Sequence, residues 1–468
     1  MRLLNVHTLE FREFFESDRP PYCILSHRWG KDELTYKQFR KGVDLQGPGY
    51  DKIVNFCSFI RARKLRAPFY DAWGLLAGRS HHFVEWIWID AICIDKRSSA
   101  ELSEAINSMY KWYEQAVECH VFLADVDVSS SSQGAVLRQL SNSSWFSRGW
   151  TLQELLAPLL CIFVDHSWKI IGHVCNGCED KMNPCCHPSQ AEEFGLSLSE
   201  LVSEITRIPQ HCLKPLVKGG AARYEDHSIA ERFSWAARRT TTRVEDEAYC
   251  LLGLLGINMP LLYGEGSMAF IRLQEEIIKR SSDSSIFAWS PRSVLPLTPV
   301  SMLARSVEDF WNSQDVYDTD PRHQERAYKP NFAFGLSNDG VQLETRGVPG
   351  VLNELDRVDE TWDDYNIVVP PSDGKQRVLM LRLACFDDSQ SGKLRTSYVM
   401  VAVRRMNGSF YRVVLNEDLR TQIEALFNDP MSSSYAYNSG LRATWDRFSI
   451  AAYPSDITHL SHRSNRLN

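Results

Sequence analysis

The sequence of 468 residues contains no apolar run long enough to cross a bilayer. Its longest, from Tyr249 to Tyr263, is interrupted by Asn258 and Pro260 and falls short of the roughly 20 apolar residues that a transmembrane helix needs. The opening stretch MRLLNVHTLEFREFFE turns to charge too early for the apolar centre of a secretory signal. These two absences predict a soluble, cytoplasmic protein without a membrane span. A dense basic face is also missing. Lys and Arg total 52 against 59 Asp and Glu, for a net charge of −7. The two short basic clusters, Arg61, Arg63, Lys64 and Arg66, then Arg238, Arg239 and Arg243, read as solvated helix faces. No nucleic-acid partner is expected, because phosphate neutralisation needs a concentrated Lys/Arg surface. The sequence has no glycine-rich phosphate loop of Walker or dinucleotide type and no G-x-S-x-G elbow. Gly264-Glu-Gly266 is too short a pattern to count as either. There is no internal repeat and no long low-complexity tract.

What is present suits a folded multidomain protein. Hydrophobic residues make up 44% and aromatic residues 11%, enough to fill sizeable cores. The length predicts two or three domains. The 12 cysteines are scattered, which fits reduced and mostly buried thiols.

Along the first part, short apolar runs alternate with helical patterns. Residues 22–26, 86–90, 120–124 and 160–164 read as strands. Residues 51–64 carry helical spacing through Ile53, Phe56 and Ile60. Ser98-x-x-Glu101 is a capping-box pattern ahead of the apolar face Leu102, Ile106, Met109, Tyr113 and Val117. Thr151-x-x-Glu154 is a second such pattern, before Pro158. Strands alternating with helices predict an α/β fold with a parallel sheet covered on both faces. Residues 199–207, 228–239, 244–255 and 267–279 read as helices. Pro291, Pro296 and Pro299 mark a boundary, after which alternating patterns dominate. There, Asn338-Asp-Gly340 and Asn407-Gly408 are hairpin-turn signals. The expected organisation is an α/β domain over 1–175, a helical extension over 176–290 and a β-rich domain over 291–468.

Ligands of open α/β sheets lie beyond the carboxyl ends of the strands. Ser26, His27, Arg28 and Trp29 follow the first of the four strands, Asp90 and Asp95 the second, and Asp125 the third. Trp150 and Glu154 open the helix before the fourth. Together these residues suit a ligand with a ring and phosphates. Trp stacks, Arg pairs with phosphate, and a carboxylate stabilises developing positive charge. Each also has a simpler reading: Glu154 completing a capping box, Asp90 capping a turn, the tryptophans packing a core. A separate Cys/His-rich stretch contains His173, Cys175, Cys178, Cys185, Cys186 and His187. Within it, Cys175, Cys178, Cys185 and His187 are a candidate zinc set, with a loop of free thiols as the alternative.

Three blocks, in order, resemble the heterokaryon incompatibility (HET) domain of filamentous fungi: residues 22–30 (YCILSHRWG), 88–110 (WIDAICIDK running on to Tyr110) and 147–158 (SRGWTLQELLAP). The resemblance continues through 239–246, 258–266 and 287–289. It departs from the family at two insertions, residues 65–85 and 173–188. What the resemblance implies is non-self recognition after cell fusion, ending in programmed death of the fused compartment, with protein partners and self-association. The family's sheet is thought similar to that of TIR domains, which act as scaffolds or cleave NAD. On that analogy the sheet is TIR-like, Glu154 stands at the catalytic glutamate, and NAD is a candidate substrate; no resident cofactor is implied.

Overall fold

A computed structural model of the chain describes residues 1–43, 45–70, 76–129, 132–176, 195–213, 227–291 and 299–317. Beyond these it describes strands 333–337, 340–346, 379–387, 397–406, 409–413 and 445–450. From 66 to 82, and for most residues after 333, the backbone alone is described. The chain divides into two compact units, one of residues 1–224 with 239–263, the other of 225–238 with 264–468.

The first unit is mixed α/β. Its strands are β1 (Arg2–Asn5), β2 (Phe11–Glu13), β3 (Tyr22–His27), β4 (Arg66–Tyr70), β5 (Leu76–Phe83), β6 (Trp86–Ile89), β7 (Cys119–Leu123), β8 (Leu160–Asp165), β9 (Ile170–Cys175) and β10 (Leu196–Ser197). Eight of them form one sheet in the order β10-β9-β8-β7-β3-β6-β1-β2. The four strands expected from the apolar runs are its centre, and β8, β7, β3 and β6 pair in parallel. Sequence reading missed the edges. β1 joins β6 and β2 in antiparallel pairs, and β9 pairs antiparallel with β8. The insertion at 65–85 contains β4 and β5, a separate antiparallel pair.

Side chains alternate between the two faces of a strand. Tyr22, Ile24 and Ser26 therefore share one face of β3, and Cys23, Leu25 and His27 the other. The first face is covered by α4 (Ser99–Glu114), whose buried Ala105, Ile106, Met109, Trp112 and Tyr113 make a stripe at helical spacing. Tyr22 donates to the Trp112 carbonyl at 2.5 Å, and Trp88 meets Trp112 edge to face. Ser98 caps α4 by accepting from the Glu101 N–H, but the Glu101 side chain turns away to Arg2 and the Asp95 N–H, so the capping box is half made. The opposite face is covered by α2 (Pro48–Arg63). Proline opens it and Lys64 ends it in the left-handed region. Its buried residues are Gly49, Lys52, Ile53, Phe56, Cys57 and Ile60. Burying stripes of this kind is what holds such helices in place, since short helices are marginal alone.

In the second unit, helices Ile229–Ala236 and Met268–Ile278 pack through Phe233 and Phe270, ring centroids 5.2 Å apart. Buried Gln274 holds the backbone of Ala304 by both its carbonyl and its N–H. Asp283 accepts from the N–H groups of Ile229 and Ser285. Described strands of this unit pair mostly antiparallel; Ala333–Ser337 meets Gly340–Arg346, and Ser397–Met406 meets Ser409–Val413. The turns between these partners lie outside the described residues.

Candidate functional site

The chain visits β6 before β7, yet β3 lies between them. At the carboxyl end of such a reversal the two crossovers leave on opposite faces and open a crevice. Ser26 and His27 end β3 at this point, and they enter two different sets of contacts.

On the α4 face, Ser26 makes a short hydrogen bond to Glu154 Oε2 and accepts one from Trp145 Nε1 at 2.8 Å. Tyr113, which donates to the Leu25 carbonyl at 3.3 Å, also stands against the Glu154 carboxyl. The thiols of Cys119 and Cys161 both approach the Glu154 carbonyl at 3.7 Å. Burial pushes the Glu154 carboxyl up to about 7; the Ser26 bond opposes the rise and the charge of Asp90 adds to it. Glu154 thus exchanges its proton near neutral pH, the range in which a carboxyl can act as either acid or base.

Glu154 is not a capping residue. Helix α6 (Thr151–Leu156) begins after Trp150, and its amino end has no side-chain cap. The Thr151 hydroxyl is held by the carbonyls of Trp145 and Arg148, 2.7 and 2.8 Å away, and it accepts from buried Arg239 at 3.0 Å. Gly149 lets the 240–250 segment come close, since a Cβ there would lie 2.6 Å from the Thr241 methyl. With its amino end fixed in this way, α6 delivers Glu154 to β3.

On the α2 face, His27 Nε2 is 3.1 Å from Glu33 Oε1. Lys52 donates to both oxygens of Glu33, at 2.6 and 2.8 Å, and the Gly30 N–H donates to Oε2 at 3.2 Å. Burial alone would raise Glu33, but His27 and Lys52 outweigh it and hold the carboxyl at about 2. Burial also lowers Lys52 against the pull of Glu33. Gly49 makes this pairing possible: a Cβ there would collide with the Asp32 carbonyl, so only glycine lets α2 lie against the loop that carries Glu33.

Asp90 stands between the two sets. It accepts from Trp29 Nε1 at 2.9 Å and from Lys96 at 3.2 Å, and its other oxygen is 4.0 Å from His27 Nδ1. Lys96 lies over the Trp29 ring, 3.2 Å from its centroid. Burial raises Asp90, yet Lys96 and His27 together hold it below the usual carboxylate range. Ser26, His27, Trp29, Asp90 and Glu154 are therefore one neighbourhood. The other expected residues are elsewhere or differently engaged. Arg28 is exposed. Asp95 pairs with Arg97 at 2.6 Å. Trp150 bonds Asp246, which also accepts from Tyr263 at 2.9 Å. Asp125 accepts from Ser143 and Ser144 and ties down the loop before α6. His173 and Cys175 lie buried in β9, while Cys178, Cys185, Cys186 and His187 fall outside the described residues. Asp127, Asp165 and His166 also come together, but Asp165 is already used by the N–H groups of Val128, Ser167 and Lys169.

Sequence reading missed Glu33, Lys52, Lys96, Tyr113 and Trp145 as members of this neighbourhood. Lys52 alone left a signal, a charge inside the apolar stripe of α2. The others are joined to the site only by the fold.

Residues 22–134 match the family Heterokaryon incompatibility protein (HET), and residues 268–333 match a domain of unknown function, DUF8212. The chain is 36% identical over 266 residues to Vegetative incompatibility protein HET-E-1 of Podospora anserina, a match covering 56% of this chain and 16% of that relative. It thus spans about a sixth of the relative's length. No solved structure matches the chain.

Proposed function

We propose, from the premise that this chain carries a HET domain, that it is a heterokaryon incompatibility protein which triggers programmed cell death on non-self recognition. It acts in the cytoplasm through protein partners and self-association. The observation that carries this reading is convergence. Ser26 from the first sequence block, Asp90 from the second and Glu154 from the third share one neighbourhood, although Ser26 and Glu154 are 128 positions apart. Burying an ionisable group is costly, and groups with strongly shifted pKa values cluster at functional sites. The test is survival of fungal cells expressing the full chain, wild type against Ser26→Ala and Glu154→Gln. Death that persists in both variants removes the neighbourhood from the killing function.

A second reading is favoured by the near-neutral Glu154 carboxyl: NAD cleavage of the TIR kind. Glu154 as carboxylate would stabilise the oxocarbenium-like state as nicotinamide leaves. Exposed Arg28 would meet phosphate, and Trp29 would supply a ring, Trp150 being engaged by Asp246. Because the carboxylate is the working form, the rate should rise with pH through about 7. The test is NAD content in the same cells, with Glu154→Ala beside wild type. NAD that stays level while cells die rejects catalysis and leaves contact-mediated signalling.

A further inference from the structure

At the opposite, amino-terminal end of the parallel strands lies a cluster that none of this chemistry uses. Cys23 is the second residue of β3, His120 the second of β7, and Glu118 precedes β7. By strand alternation Cys23 and His120 lie on the α2 face, away from Ser26 and Glu154. Cys23 and His120 are 0% exposed and Glu118 is 3% exposed. One ligand atom from each, a thiol sulfur, a ring nitrogen and a carboxylate oxygen, all lie within 4.8 Å of one another.

The hydrogen bonding of this cluster is unusual. Among the described residues, neither ring nitrogen of His120 has a hydrogen-bond partner, and neither does Glu118 Oε2. Yet His120 Nε2 and Glu118 Oε2 are only 3.2 Å apart. They approach as an ion pair whose angles fall short of a well-formed hydrogen bond. A shared third atom would turn this imperfect approach into two well-directed bonds. With zinc–nitrogen and zinc–oxygen bonds of about 2.1 Å, a tetrahedral edge comes to about 3.4 Å, close to the separation here. Buried polar groups without partners are rare, and each one calls for a cause.

The surroundings complete the argument. Arg63 Nη2 donates to the other carboxylate oxygen, Glu118 Oε1, at 3.1 Å. Orienting a ligating carboxylate from outside is the usual task of a second partner around a metal. Phe56 and Phe59 meet the His120 ring edge to face, both with centroids 5.4 Å away, and give the site an apolar wall. We propose that Cys23, Glu118 and His120 form a binding site for a divalent zinc ion that joins the amino-terminal ends of β3 and β7. One thiolate, one imidazole and one carboxylate suit zinc among the common divalent ions. This site is separate from the Cys/His-rich stretch at 173–188 and owes nothing to the proposed killing activity. Because it is closed in the folded chain, the ion enters as the chain folds and its binding contributes to stability.

The experiment is metal analysis of the full chain, unfolded in chelator and refolded with zinc, then dialysed. Wild type should retain about one equivalent of zinc. His120→Ala should lose it, and a Cys178→Ser/Cys185→Ser double variant should keep it. Refolded wild type without zinc overturns the site, as does zinc that leaves with the double variant but not with His120→Ala. Should His120→Ala fail to fold by circular dichroism, cobalt(II) in the refolded wild type decides. A thiolate-to-cobalt charge-transfer band that vanishes in Cys23→Ser supports the site, and its persistence in that variant overturns it.

Discussion

Ser26 and His27 are neighbours in the chain and opposites in their surroundings. Ser26 enters a set of hydrogen bonds built around a carboxyl that burial drives toward neutrality. His27 enters an ion cluster in which a less deeply enclosed carboxyl, Glu33, is driven the other way. The two glutamates differ in their partners. Glu33 has a lysine on both oxygens and a backbone N–H, so Coulomb attraction exceeds the cost of desolvation. Glu154 is bonded by hydroxyl groups, and the like charge of Asp90 acts on it more strongly than the cation of Arg148. One strand end thus presents a fixed charge on one face and a titrating group on the other, with Asp90 coupled to both.

Substitutions can break this contrast, and the largest effect is expected on the ionic side. Lys52→Ala leaves Glu33 buried without its ammonium, and removing one partner of a buried pair costs on the order of 3–5 kcal/mol. The same pair sets an acid limb. Glu33 is at about 2 when folded against 4.5 as a free side chain. Its contribution is therefore complete above 4.5 and is lost as pH falls toward 2. Denaturation midpoints measured between pH 2 and 6 should fall on acidification in wild type, and less steeply in Lys52→Ala.

Next is Glu154→Gln, whose effect has the opposite sign. The folded carboxyl holds its proton to about 7, the unfolded one only to 4.5. The fold therefore loses stability as pH rises from 4.5 to 7 and stays lowered above. A difference of this size between the folded and unfolded carboxyl is worth about 3 kcal/mol. Glutamine keeps an acceptor for Ser26 and carries no charge, so the variant should be more stable than wild type at pH 8 and indistinguishable at pH 4. An unchanged slope between these values would mean that water reaches Glu154.

Ser26→Ala should cost less, about 1–3 kcal/mol, because it strips Trp145 and Glu154 of a shared partner inside the fold. It should also raise the Glu154 carboxyl further, visible as a pH slope that begins at the same point but continues to higher pH. Trp29→Phe should be smallest, about 1 kcal/mol, since it removes one donor from Asp90 while Lys96 remains. The same thermal or denaturant titrations rank all four.

Much of the frame was legible in the sequence. The four central strands are apolar runs buried on both faces, so β3 reads as YCILSH with every residue buried, and a pattern of that kind survives any context. The edge strands were not legible, because Arg2–Asn5 and Phe11–Glu13 are short and become strands only by pairing with what lies beside them. Two identical local patterns show where such reading fails. Ser98-x-x-Glu101 does begin a helix with Ser98 as its cap. Thr151-x-x-Glu154 also begins a helix, but Thr151 is its first residue and not its cap, because the Thr151 hydroxyl is taken by carbonyls of the preceding turn and by an arginine 88 positions away. The glutamate was then available for β3. Neither difference is written within four residues of either pattern.

The central position of β3 also sets a timetable for synthesis. Tyr22 must wait for Trp86 before one side of the strand is paired, and Ile24 for Cys119 before the other side is. Pairing over such separations is slow and leaves strand edges open in the meantime. Glu154 is later still. A ribosome that stalls or terminates before that codon releases a chain whose Ser26 has no carboxyl to meet, so a message cut short in its first third yields no assembled site.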